Sequence, residues 1–556
     1  MRTEWTTADA MGGRVRVGLA VAQAVVPQWT VALAQALEAS SEVELTVFLA
    51  TDSDASATVT RRSGLRLWNA YRTIDRHLQR AICRSSPDPR VMVDLEEAGF
   101  EVVVGRPRDT ALIVAAVDQS VATRLAAEIR CPVWCFDHDG HRPWAEASSG
   151  YAPVLAAEES TQCTLFSVSG DRQRGDTLRR ALFSTHPLFG AENRVQLLWK
   201  SIPLVIQQVE AFAAGGVYAA PLAPGVARTA KRAPGALGLL VLLARHAVRS
   251  AAFSLRRVFW RGQWFIVQGQ PSSETCPPED TLSCFRALAD IVPPRDRFWA
   301  DPHLLSGSDE TLVLVEEYPF ASRRGHIALL RLNDHGALIE ARPVLQRADC
   351  HLSYPATFTV DGELYMVPES RQLRRVDAYR CVEYPWRWEF DRTLIDGLYA
   401  CDSSLVEFDG RWWLFATVSE HAWLTPRDTL HVFVADHPLA GDWRPHKGNP
   451  VVCDVHRSRP AGQPFVVQGR LFRPSQDCSS GYGAGMRLHE VVSLTEDVYD
   501  EREVSSLRPV RDRGMVASHT LAWSEHAAIV DGMRWQPRWA RSRRDSSRIR
   551  SIKPRS

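Results

Sequence analysis

Acidic, basic and hydroxyl side chains recur at matching places in five segments of the C-terminal half of this chain. Each segment reads as a strand, a tight turn and a second strand, as in HLSYPATFTVDGELYMVPES at residues 351–370. The first strands open on Asp301, Ser353, Tyr354, Asp402, Arg459 and His519. The second strands close on Glu316 or Glu317, Glu369, Glu420 and Asp477. Since the second strand of a hairpin runs antiparallel to the first, we expect both sets at one edge of the sheet.

Carboxylates that face one another across a cleft suit sugar chemistry. Their pKa values can be pushed apart, so that one acts as an acid while another stays ionised. Glycosyl transfer to water or to another hydroxyl uses such a carboxylate, either to deprotonate the incoming hydroxyl or to stabilise an oxocarbenium-like centre. A single acid at a strand end is usually a cap or a turn residue. Acids at matching positions in four of the five copies instead indicate an acidic funnel.

The residue types suggest a role for each member of this set. We predict that Asp301 is the general base for the acceptor hydroxyl. The carboxylates expected to position the substrate or to tune its pKa are Asp402, Glu369 and Asp477. A cationic rim would suit a phosphorylated sugar donor, and the predicted rim and substrate-binding residues are His351, Ser353, Tyr354, Arg459, Arg473 and His519. The aromatic residues that could stack on sugar rings or pack between sheets are Trp299, Tyr354, Trp412, Trp413 and Tyr482. No metal cluster is evident from the spacing, although two carboxylates could hold a divalent cation beside a diphosphate.

The five segments also predict the fold that positions these residues. Their anchors lie roughly fifty to sixty residues apart, at Asp301, Tyr354, Asp402, Ala461 and His519. Five strand–turn–strand units at that period predict a five-bladed β-propeller over residues 263–535. In a propeller the innermost strand of each blade lines the central channel, which explains why the charged positions would converge.

The rest of the chain predicts a second, α/β domain. A length of 556 residues exceeds one core, and 45% hydrophobic with 24% charged residues is typical of a globular protein. Residues 1–215 alternate short β-rich runs with helical patterns, which predicts an open α/β sheet. The first turn carries no GxGxxG, so a dinucleotide site of that kind is not supported. Eleven scattered cysteines without CxxC or zinc-type spacing, and a start without an apolar run, favour reduced thiols in the cytoplasm.

Local charge suggests a membrane partner, although the net charge is only +1. Residues 216–273 contain no acidic residue, and the linker 216–262 carries a helical pattern with Arg245, Arg249, Arg256 and Arg257. Its uninterrupted apolar run is too short to span a bilayer. The helix could lie on an anionic membrane surface, or it could be a packed interdomain helix whose arginines face solvent. The basic tail 536–556, predicted to be disordered, could add to membrane attachment at the inner face; no motif supports nucleic acid as its partner.

The motifs FWADPHLL, HLSYPATF, DGELYMVPES, RPAGQP and RPSQDCSSGYG carry a resemblance to a known domain. They resemble the N-terminal domain of glucosamine inositolphosphorylceramide transferases, which is related to the five-bladed folds of glycoside hydrolase family 43. That hydrolase family uses an Asp base in its first blade, an Asp that modulates pKa in its second and a Glu acid in its third. Asp301 matches the first position, whereas Ser353–Tyr354 and Asp402 depart from the other two. The resemblance therefore implies glycosyl transfer rather than hydrolysis.

The first domain resembles the formyltransferase fold, on the phrase CPVWCFDHDGHRPW. Working formyltransferases carry Asn-x-His there, and Cys135 and Asp137 occupy those two places. No convincing Asp-x-Gly follows, although Asp171 and Asp176 lie nearby. The resemblance implies a degenerate site that binds or scaffolds. Three functions stay open at this point: a glycosyltransferase-like enzyme, a sugar-binding scaffold that does not catalyse, and a formyl- or acyl-type transferase in the first domain.

Overall fold

The computed structural model describes most of the chain, with several gaps. The described residues are 14–50, 65–83, 87–105, 107, 109–117, 119–138, 149–168, 176–215, 234–271, 282, 285–305, 310–333, 336–509, 514–524 and 527–539.

The N-terminal domain is built on a seven-stranded sheet with the strand order β5-β3-β1-β6-β7-β8-β9. Its strands are β1 (Val15–Val21), β3 (Val43–Leu49), β5 (Val102–Val104), β6 (Leu112–Ala115), β7 (Val133–His138), β8 (Ser160–Val168) and β9 (Thr177–Ser184). The first five of these are parallel, and β8 and β9 are antiparallel. A small ribbon pairs β2 (Val25–Pro27) with β4 (Met92–Asp94). The predicted open α/β sheet is therefore present, whereas the formyltransferase likeness stays a prediction.

Five helices accompany this sheet within the described residues. They are α1 (Gln28–Ala39), α2 (Leu65–Ile82), α3 (Gln119–Glu128), α4 (Tyr151–Ala156) and α5 (Gly190–Ala213). The long helix α5 is buried over most of its length and shares a core with β1, β3 and α1. Its N-terminus receives the buried carboxylate of Asp75, which accepts hydrogen bonds from the backbone N–H groups of Gly190 (3.3 Å) and Ala191 (2.8 Å). That contact satisfies donors that a helix start leaves unpaired.

Helix α6 (Ala236–Phe259) joins the two domains. One face packs on the first domain, where Leu239 and Leu243 contact the cluster of Trp68 and Tyr151. Arg249 does not face solvent as the interdomain alternative expected, because its guanidinium donates to the carbonyls of Val154 and Leu155 at 2.9 Å each. Within the described part of the chain, α6 is the helix long and apolar enough to cross a membrane, with a mean hydropathy of 1.4 and 11% of that window buried.

The C-terminal domain consists of five four-stranded antiparallel sheets, as the repeat predicted. Blade one is β12 (Arg297–Leu305), β13 (Thr311–Pro319), β14 (His326–Leu332) and β15 (Leu338–Leu345). Blade two is β16 (Ser353–Val360), β17 (Glu363–Glu369), β18 (Arg375–Glu383) and β19 (Arg387–Asp396). Blade three is β20 (Tyr399–Phe408), β21 (Arg411–Ser419), β22 (Leu430–Ala435) and β23 (Arg444–Pro445). Blade four is β24 (Phe465–Val467), β25 (Arg470–Asp477), β26 (Gly485–Leu494) and β27 (Tyr499–Leu507). Blade five is β28 (Leu521–Trp523), β29 (Ala528–Pro537), β10 (Trp260–Pro271) and β11 (Phe285–Ile291).

The fifth blade closes the propeller by joining both ends of the domain. Its inner strands β28 and β29 come last in the chain, and its outer strands β10 and β11 come first. Ten residue pairs link β10 with β29, from Trp260–Pro537 to Gly269–Ala528. The repeat alone could not show this, because β10 and β11 carry no funnel motif. Closure in this way joins the two ends of the domain in one sheet and holds the five blades around one channel.

The two domains meet through buried polar contacts. Lys200 of α5 is paired with Asp428, which lies in the loop between β21 and β22. Arg179 of β9 donates to the carbonyl of Pro450 at 2.5 Å. The Trp199 ring lies edge-on to Trp423, with ring centroids 5.4 Å apart. The loop from β21 begins at the same edge as the start of β20, so the α/β domain contacts the face of the propeller on which the predicted site residues converge.

Candidate functional site

The inner strands of the first three blades share one backbone distortion. Asp301, Tyr354 and Asp402 have φ values of 52°, 47° and 53°. In each blade the pairing register shifts at this residue, as a β-bulge does. Positive φ is uncommon for residues other than glycine, and it marks functional sites more often than ordinary strands. A repeated bulge at all three predicted anchor positions therefore re-aims their side chains toward the centre of the propeller.

Hydrogen bonds between blades fix these three residues. The backbone N–H of Asp301 donates to Oδ2 of Asp531 at 3.2 Å, and that of Tyr354 donates to Oδ2 of Asp301 at 3.2 Å. The N–H of Asp402 donates to Oε2 of Glu369 at 3.3 Å. Each bulge thus gives its amide to a carboxylate of the preceding blade, so the acidic residues are bound into a connected set.

Asp301 is the central residue of a first group within this connected set. Its Oδ1 accepts a hydrogen bond from the Thr520 hydroxyl at 3.0 Å and lies 3.5 Å from Nε2 of His519. His519 is also paired with Asp531, and its ring stacks on Trp264 with centroids 4.2 Å apart. Burial raises the pKa of Asp301 to about 7. Burial alone would lower the pKa of His519, but Asp531 and Asp301 outweigh it and raise the pKa to about 9. At neutral pH the centre therefore holds a cationic imidazolium between two carboxyl groups.

The same three residues have the donor types of a metal site. One ligand atom from each of Asp301, His519 and Asp531 lies within 4.8 Å of the others. Carboxylate oxygens and an imidazole nitrogen are ligands that divalent cations accept, and binding of a cation would release the imidazole proton. The trio therefore can form either an ion triad or a cation site. The divalent cation considered from the sequence stays a prediction.

Asp402 forms the second half of the set. Arg459 grips its carboxylate with two hydrogen bonds, from Nε to Oδ2 at 2.6 Å and from Nη2 to Oδ1 at 3.1 Å. Gln476 donates to Oδ2 at 3.0 Å. Burial raises the pKa of Asp402 above its ordinary value, and Arg459 opposes that rise. Glu369 is nearby, with Oε2 3.7 Å from Nη2 of Arg459, and it is less buried than Asp402. These contacts make Asp402 a structural partner of Arg459, whereas Glu369 keeps access to the funnel.

His351 is the predicted rim residue that the structure leaves partly accessible. Its Nε2 lies 3.1 Å from Oε1 of Glu316, and its Nδ1 accepts the N–H of Gly325 at 2.8 Å. Burial would lower the pKa of His351, but the contact with Glu316 outweighs it and the pKa is raised. Ser353 is buried and pairs with Glu369 across the blade. His351, Glu316 and Glu369 therefore supply mixed charge above the buried carboxylates.

Three residues predicted at the rim lie deeper. His519 is buried in the triad, and the guanidinium of Arg459 is bound to Asp402 and to the carbonyl of Pro426 (2.9 Å). Arg473 is wrongly placed by the sequence interpretation, because its side chain is 0% exposed inside blade four. It pairs with Glu501, at 2.7 Å from Nη2 to Oε2. An arginine bound by a buried carboxylate cannot also receive a donor phosphate, so Arg473 is a core residue.

The remaining aromatic and acidic candidates also divide into residues that are packed or paired within a blade and one residue that lies at the cleft. The side chains of Trp299, Trp412 and Trp413 belong to the hydrophobic clusters of the blades, so they pack rather than face sugar. Tyr482 is half-buried, with its ring 4.9 Å from His519 and 5.2 Å from the Arg459 guanidinium. The carboxylate of Asp477 is bound by Arg487 at 2.7 Å. Of the five aromatic residues, Tyr482 best matches a sugar-facing position.

A cleft of about 910 Å³ adjoins this set at blades four and five. Tyr482 lines it and so connects it with the buried centre. Its other polar lining residues include Glu159, Arg256, His456, Asp477 and Arg487. Glu159 and Arg256 come from the first domain and from α6, so the cleft is bounded by all three parts of the chain. A ligand in this cleft would reach Tyr482 before it reached Asp301 and His519.

Sequence reasoning missed several residues of the site. Asp531 was hidden by its sequence DGMRW, which reads as a turn; β29 instead runs through Asp531 and Gly532. A Cβ at Gly532 would lie 2.7 Å from Cε of Met515, which explains a glycine inside this strand. Thr520 directly follows the predicted anchor His519, and Gln476 directly precedes Asp477 at the end of a predicted second strand. Their position next to predicted site residues was the signal that could have identified them. Arg256 and Glu159 carried no signal, because only the packing of the domains brings them to the cleft.

The predicted degenerate formyltransferase site lies in the interior of the first domain. Cys135 is buried in a hydrophobic cluster beside β6 and α3, and Asp137 follows it on β7. His138 is stacked on Phe136 at 5.1 Å, and burial lowers its pKa to about 3. His141 and Asp171 lie outside the described residues. The expectation that this domain binds or scaffolds stays a prediction.

Replacing Tyr354 by Phe tests the centre of the site. The Tyr354 hydroxyl accepts the N–H of Gly462 at 2.7 Å and lies 2.9 Å from Oγ of Ser404. Removing it leaves that buried N–H without its acceptor, so we expect a loss of about 1–3 kcal/mol in the free energy of unfolding. Urea denaturation measures the change, with Tyr365→Phe in a hydrophobic cluster as the control. Equal effects from both variants would contradict the blade-bridging role.

The fold and the site thus define a five-bladed β-propeller with an acidic centre and a cleft beside it. The family described as "Glucosamine inositolphosphorylceramide transferase 1, N-terminal" matches residues 270–524. Two proteins of the name glucosamine inositolphosphorylceramide transferase 1 are similar to part of this chain. The one from Oryza sativa subsp. japonica is 35% identical over 210 residues, which cover 37% of this chain and 28% of that protein. The one from Arabidopsis thaliana is 30% identical over 249 residues, which cover 43% of this chain and 32% of that protein. The chain thus spans about a third or less of the length of these relatives.

Two solved structures are similar to part of this chain. The catalytic domain of the Coprinopsis cinerea GH62 α-L-arabinofuranosidase is 10% identical with a TM-score of 0.34, over 43% of this chain and 92% of that one. The GH43_1 enzyme from Xanthomonas citri is 14% identical with a TM-score of 0.33, over 44% of this chain and 89% of that one. The assignment of the propeller rests on the strand order, independently of these similarities.

Proposed function

We propose that this chain is a carbohydrate-active enzyme that transfers a sugar during the assembly of a surface polysaccharide or glycolipid. The similarity over residues 270–524 supports a carbohydrate-related function. The observation that carries the proposal is the environment of Asp301. It is a buried carboxylate on a strained bulge, bound by Tyr354 and Thr520, and burial raises its pKa to about 7. A base is most effective when its pKa lies near the working pH.

In this mechanism Asp301 accepts the proton of the acceptor hydroxyl. The hydroxyl oxygen bonds to the anomeric carbon while the bond from that carbon to the leaving phosphate breaks. The imidazolium of His519 stays fixed by Asp531, so it holds the position of Asp301 and stabilises its ionised form. Glu369 and His351 are more exposed than Asp301 and would contact the sugar. Asp402 stays paired with Arg459 and so contributes to the shape of the site.

The names of the relatives suggest the chemical class of the substrates. An activated amino sugar is the first donor to test, and a phosphoinositol lipid is the first acceptor. Arg256, His456 and Arg487 line the cleft and offer positive charge to a donor diphosphate. The cytoplasmic location expected from the sequence stays a prediction.

A transfer assay tests this proposal. The purified chain would be incubated with labelled nucleotide sugars, including amino sugars, hexoses and uronic acids, and with phosphoinositol or polyprenyl phosphate lipids. We expect label from one donor class to enter the organic phase. Label released as free sugar would instead indicate hydrolysis, and no conversion with any donor would contradict the enzymatic proposal.

A non-catalytic sugar-binding scaffold is the second candidate. It is favoured by the pairing of Asp402 with Arg459, which neutralises one of the carboxylates predicted to position the substrate. A scaffold would bind ligand without turnover. A ligand at about a hundred times its Kd would raise stability by about 2.7 kcal/mol in a thermal unfolding experiment. Such a shift without any product would favour the scaffold.

A further inference from the structure

The outward face of α6 carries a continuous apolar stripe. Its members recur at alternating spacings of four and three residues, so they lie along one side of a helix. The stripe residues, all exposed, are Leu237, Val241, Ala244, Val248, Ala251, Leu255 and Val258. Leu237 is 76% exposed and Val248 is 71% exposed. Soluble surfaces rarely keep such a row of large apolar side chains in water, so the stripe indicates an interaction surface.

The opposite face of α6 is held by the first domain. Leu239 and Leu243 pack beside Trp68, and Arg249 donates to two carbonyls at the end of α4. The ring of His246 lies 6.1 Å from that of Tyr71. Strand β10 then begins at the residue after α6 ends. These contacts fix which face of the helix is turned outward.

A group of aromatic rings extends the stripe at the C-terminal end of α6. The rings of Phe259, Trp260 and Trp539 lie 5.7–6.1 Å apart. Trp539 is 62% exposed, and Trp535 lies next to Arg256, 5.3 Å from its guanidinium carbon to the ring centroid. Tryptophan prefers the boundary between lipid headgroups and acyl chains, because its ring is apolar and its N–H is polar.

The arginines near the stripe indicate which kind of partner covers it. Residues 216–273 contain arginines but no acidic residue, and Arg245, Arg256 and Arg257 are exposed on α6. A second copy of α6 would bring arginines against arginines without a compensating carboxylate. An anionic lipid surface supplies the missing negative charge along with apolar volume.

Insertion across a bilayer does not fit the same helix. Arg245, His246 and Arg249 lie near its middle, where charge is costly in the hydrocarbon core. Spanning would also remove Leu239 and Arg249 from their contacts with the first domain. The helix suits a position parallel to the membrane plane.

We propose that the stripe of α6, together with Phe259, Trp260 and Trp539, docks this protein on an anionic membrane surface. The apolar side chains enter the headgroup boundary, and the arginines contact lipid phosphates. Arg256 also lines the cleft beside the propeller centre, so docking sets the cleft next to the headgroups. This last consequence rests on the proposed function, whereas the docking itself does not.

Vesicle flotation of the full chain tests the proposal. Phosphatidylcholine vesicles are compared with vesicles that also contain phosphatidylglycerol, at low and high salt. We expect binding to the anionic vesicles, reduced by salt. The double variant Val248→Glu with Leu255→Glu is expected to lose at least about tenfold in affinity, because it places negative charge in the docking face. The matched control is Val466→Glu with Val492→Glu, which adds the same charge at exposed propeller positions.

Each alternative occupant has its own outcome. An equal loss of vesicle binding in the control variant would show that added negative charge alone reduces binding. That result would contradict the docking role of the stripe. A wild-type dimer by light scattering that becomes monomeric in the α6 variant, without vesicle binding, would assign the stripe to a second copy. Resistance of bound wild type to alkaline carbonate would indicate a spanning helix and would also overturn the proposal. A failed sugar transfer assay would leave these results unaffected.

Discussion

Replacing Asp301 by Asn is expected to lower sugar transfer at least about a hundredfold, the usual contribution of a general base. The amide keeps the size of the side chain and still accepts the N–H of Tyr354, but it cannot take a proton. Asn also tolerates the positive φ of 52° at this position. The fold is therefore expected to survive, as circular dichroism and the unfolding midpoint would show. The measurement is kcat/KM for the donor identified in the transfer assay.

Asp361 provides the matched control for this substitution. It has the same φ of 52° but lies exposed in a turn, where its carboxylate contacts His437. Asp361→Asn is expected to leave kcat/KM unchanged. Asp301→Asn with full activity would remove Asp301 as the base. A rise in KM with unchanged kcat would make it a binding residue.

The pH dependence of the wild type follows from the same group. Because burial raises the pKa of Asp301 to about 7, the ionised base is the minor form in acid and the rate is expected to rise with pH through about 7. Asp531 and Asp301 raise the pKa of His519 to about 9, against the effect of burial, so loss of its proton should lower the rate above that pH. Both limits belong to the coupled centre rather than to single residues. In the residual activity of Asp301→Asn the lower limit should disappear.

Replacing Arg473 by Met is expected to destabilise the protein by about 3–5 kcal/mol, as is usual when one partner of a buried ion pair is removed. The guanidinium is fully buried and bound to Glu501 by three hydrogen bonds of 2.7–2.9 Å. Without it the carboxylate of Glu501 stays buried with its main partner missing. Urea denaturation monitored by tryptophan fluorescence measures the change. The double variant Arg473→Met with Glu501→Gln should recover part of the loss, because the buried side chain at 501 is then neutral and Arg457, its second partner, keeps its pairing with Asp454.

Arg487 provides the comparison within the same blade. It is partly exposed and pairs with Asp477 and Glu503, so Arg487→Met is expected to lower the free energy of unfolding by less than about 1 kcal/mol.

The KM for the sugar donor tests the assignment of Arg473 to the core. At temperatures where the Arg473→Met variant is folded, its KM for the sugar donor should match that of the wild type. A raised KM without loss of stability would restore Arg473 to the binding site and contradict its assignment to the core.

The Arg473–Glu501 pair also makes stability depend on pH in a defined direction. Although burial opposes it, Arg473 and, to a smaller extent, His489 and Arg457 lower the pKa of Glu501 from 4.5 to about 2. A carboxylate with a lowered pKa in the folded state contributes stability above its unfolded pKa. This contribution is present above about pH 4.5 and is lost as the pH falls toward about 2. Arg473→Met should flatten that part of the stability curve.

The repeat made much of the propeller predictable. Turn residues between β-rich runs are local signals, with DG in blades two and three, and they place the inner strands of blades one to three at Asp301, Tyr354 and Asp402. The same local pattern failed in blade five. There the DG at Asp531 lies inside a strand, because Met515 and Phe265 pack against a glycine that needs no space for a side chain.

The amino-acid sequence by itself determined the number of blades, the anchor positions of the inner strands and the acidic character of the centre, since these follow from residue types at a fixed period. Only the tertiary structure decided which charges neutralise one another. Arg459 and Arg473 have the same type and lie on neighbouring segments, yet one binds Asp402 at the centre and the other binds Glu501 inside a blade. Those partners lie tens of residues apart in the chain, and electrostatic pairing depends on distance in space. The cleft beside α6 has the same origin, because it exists only where the two domains and the helix meet.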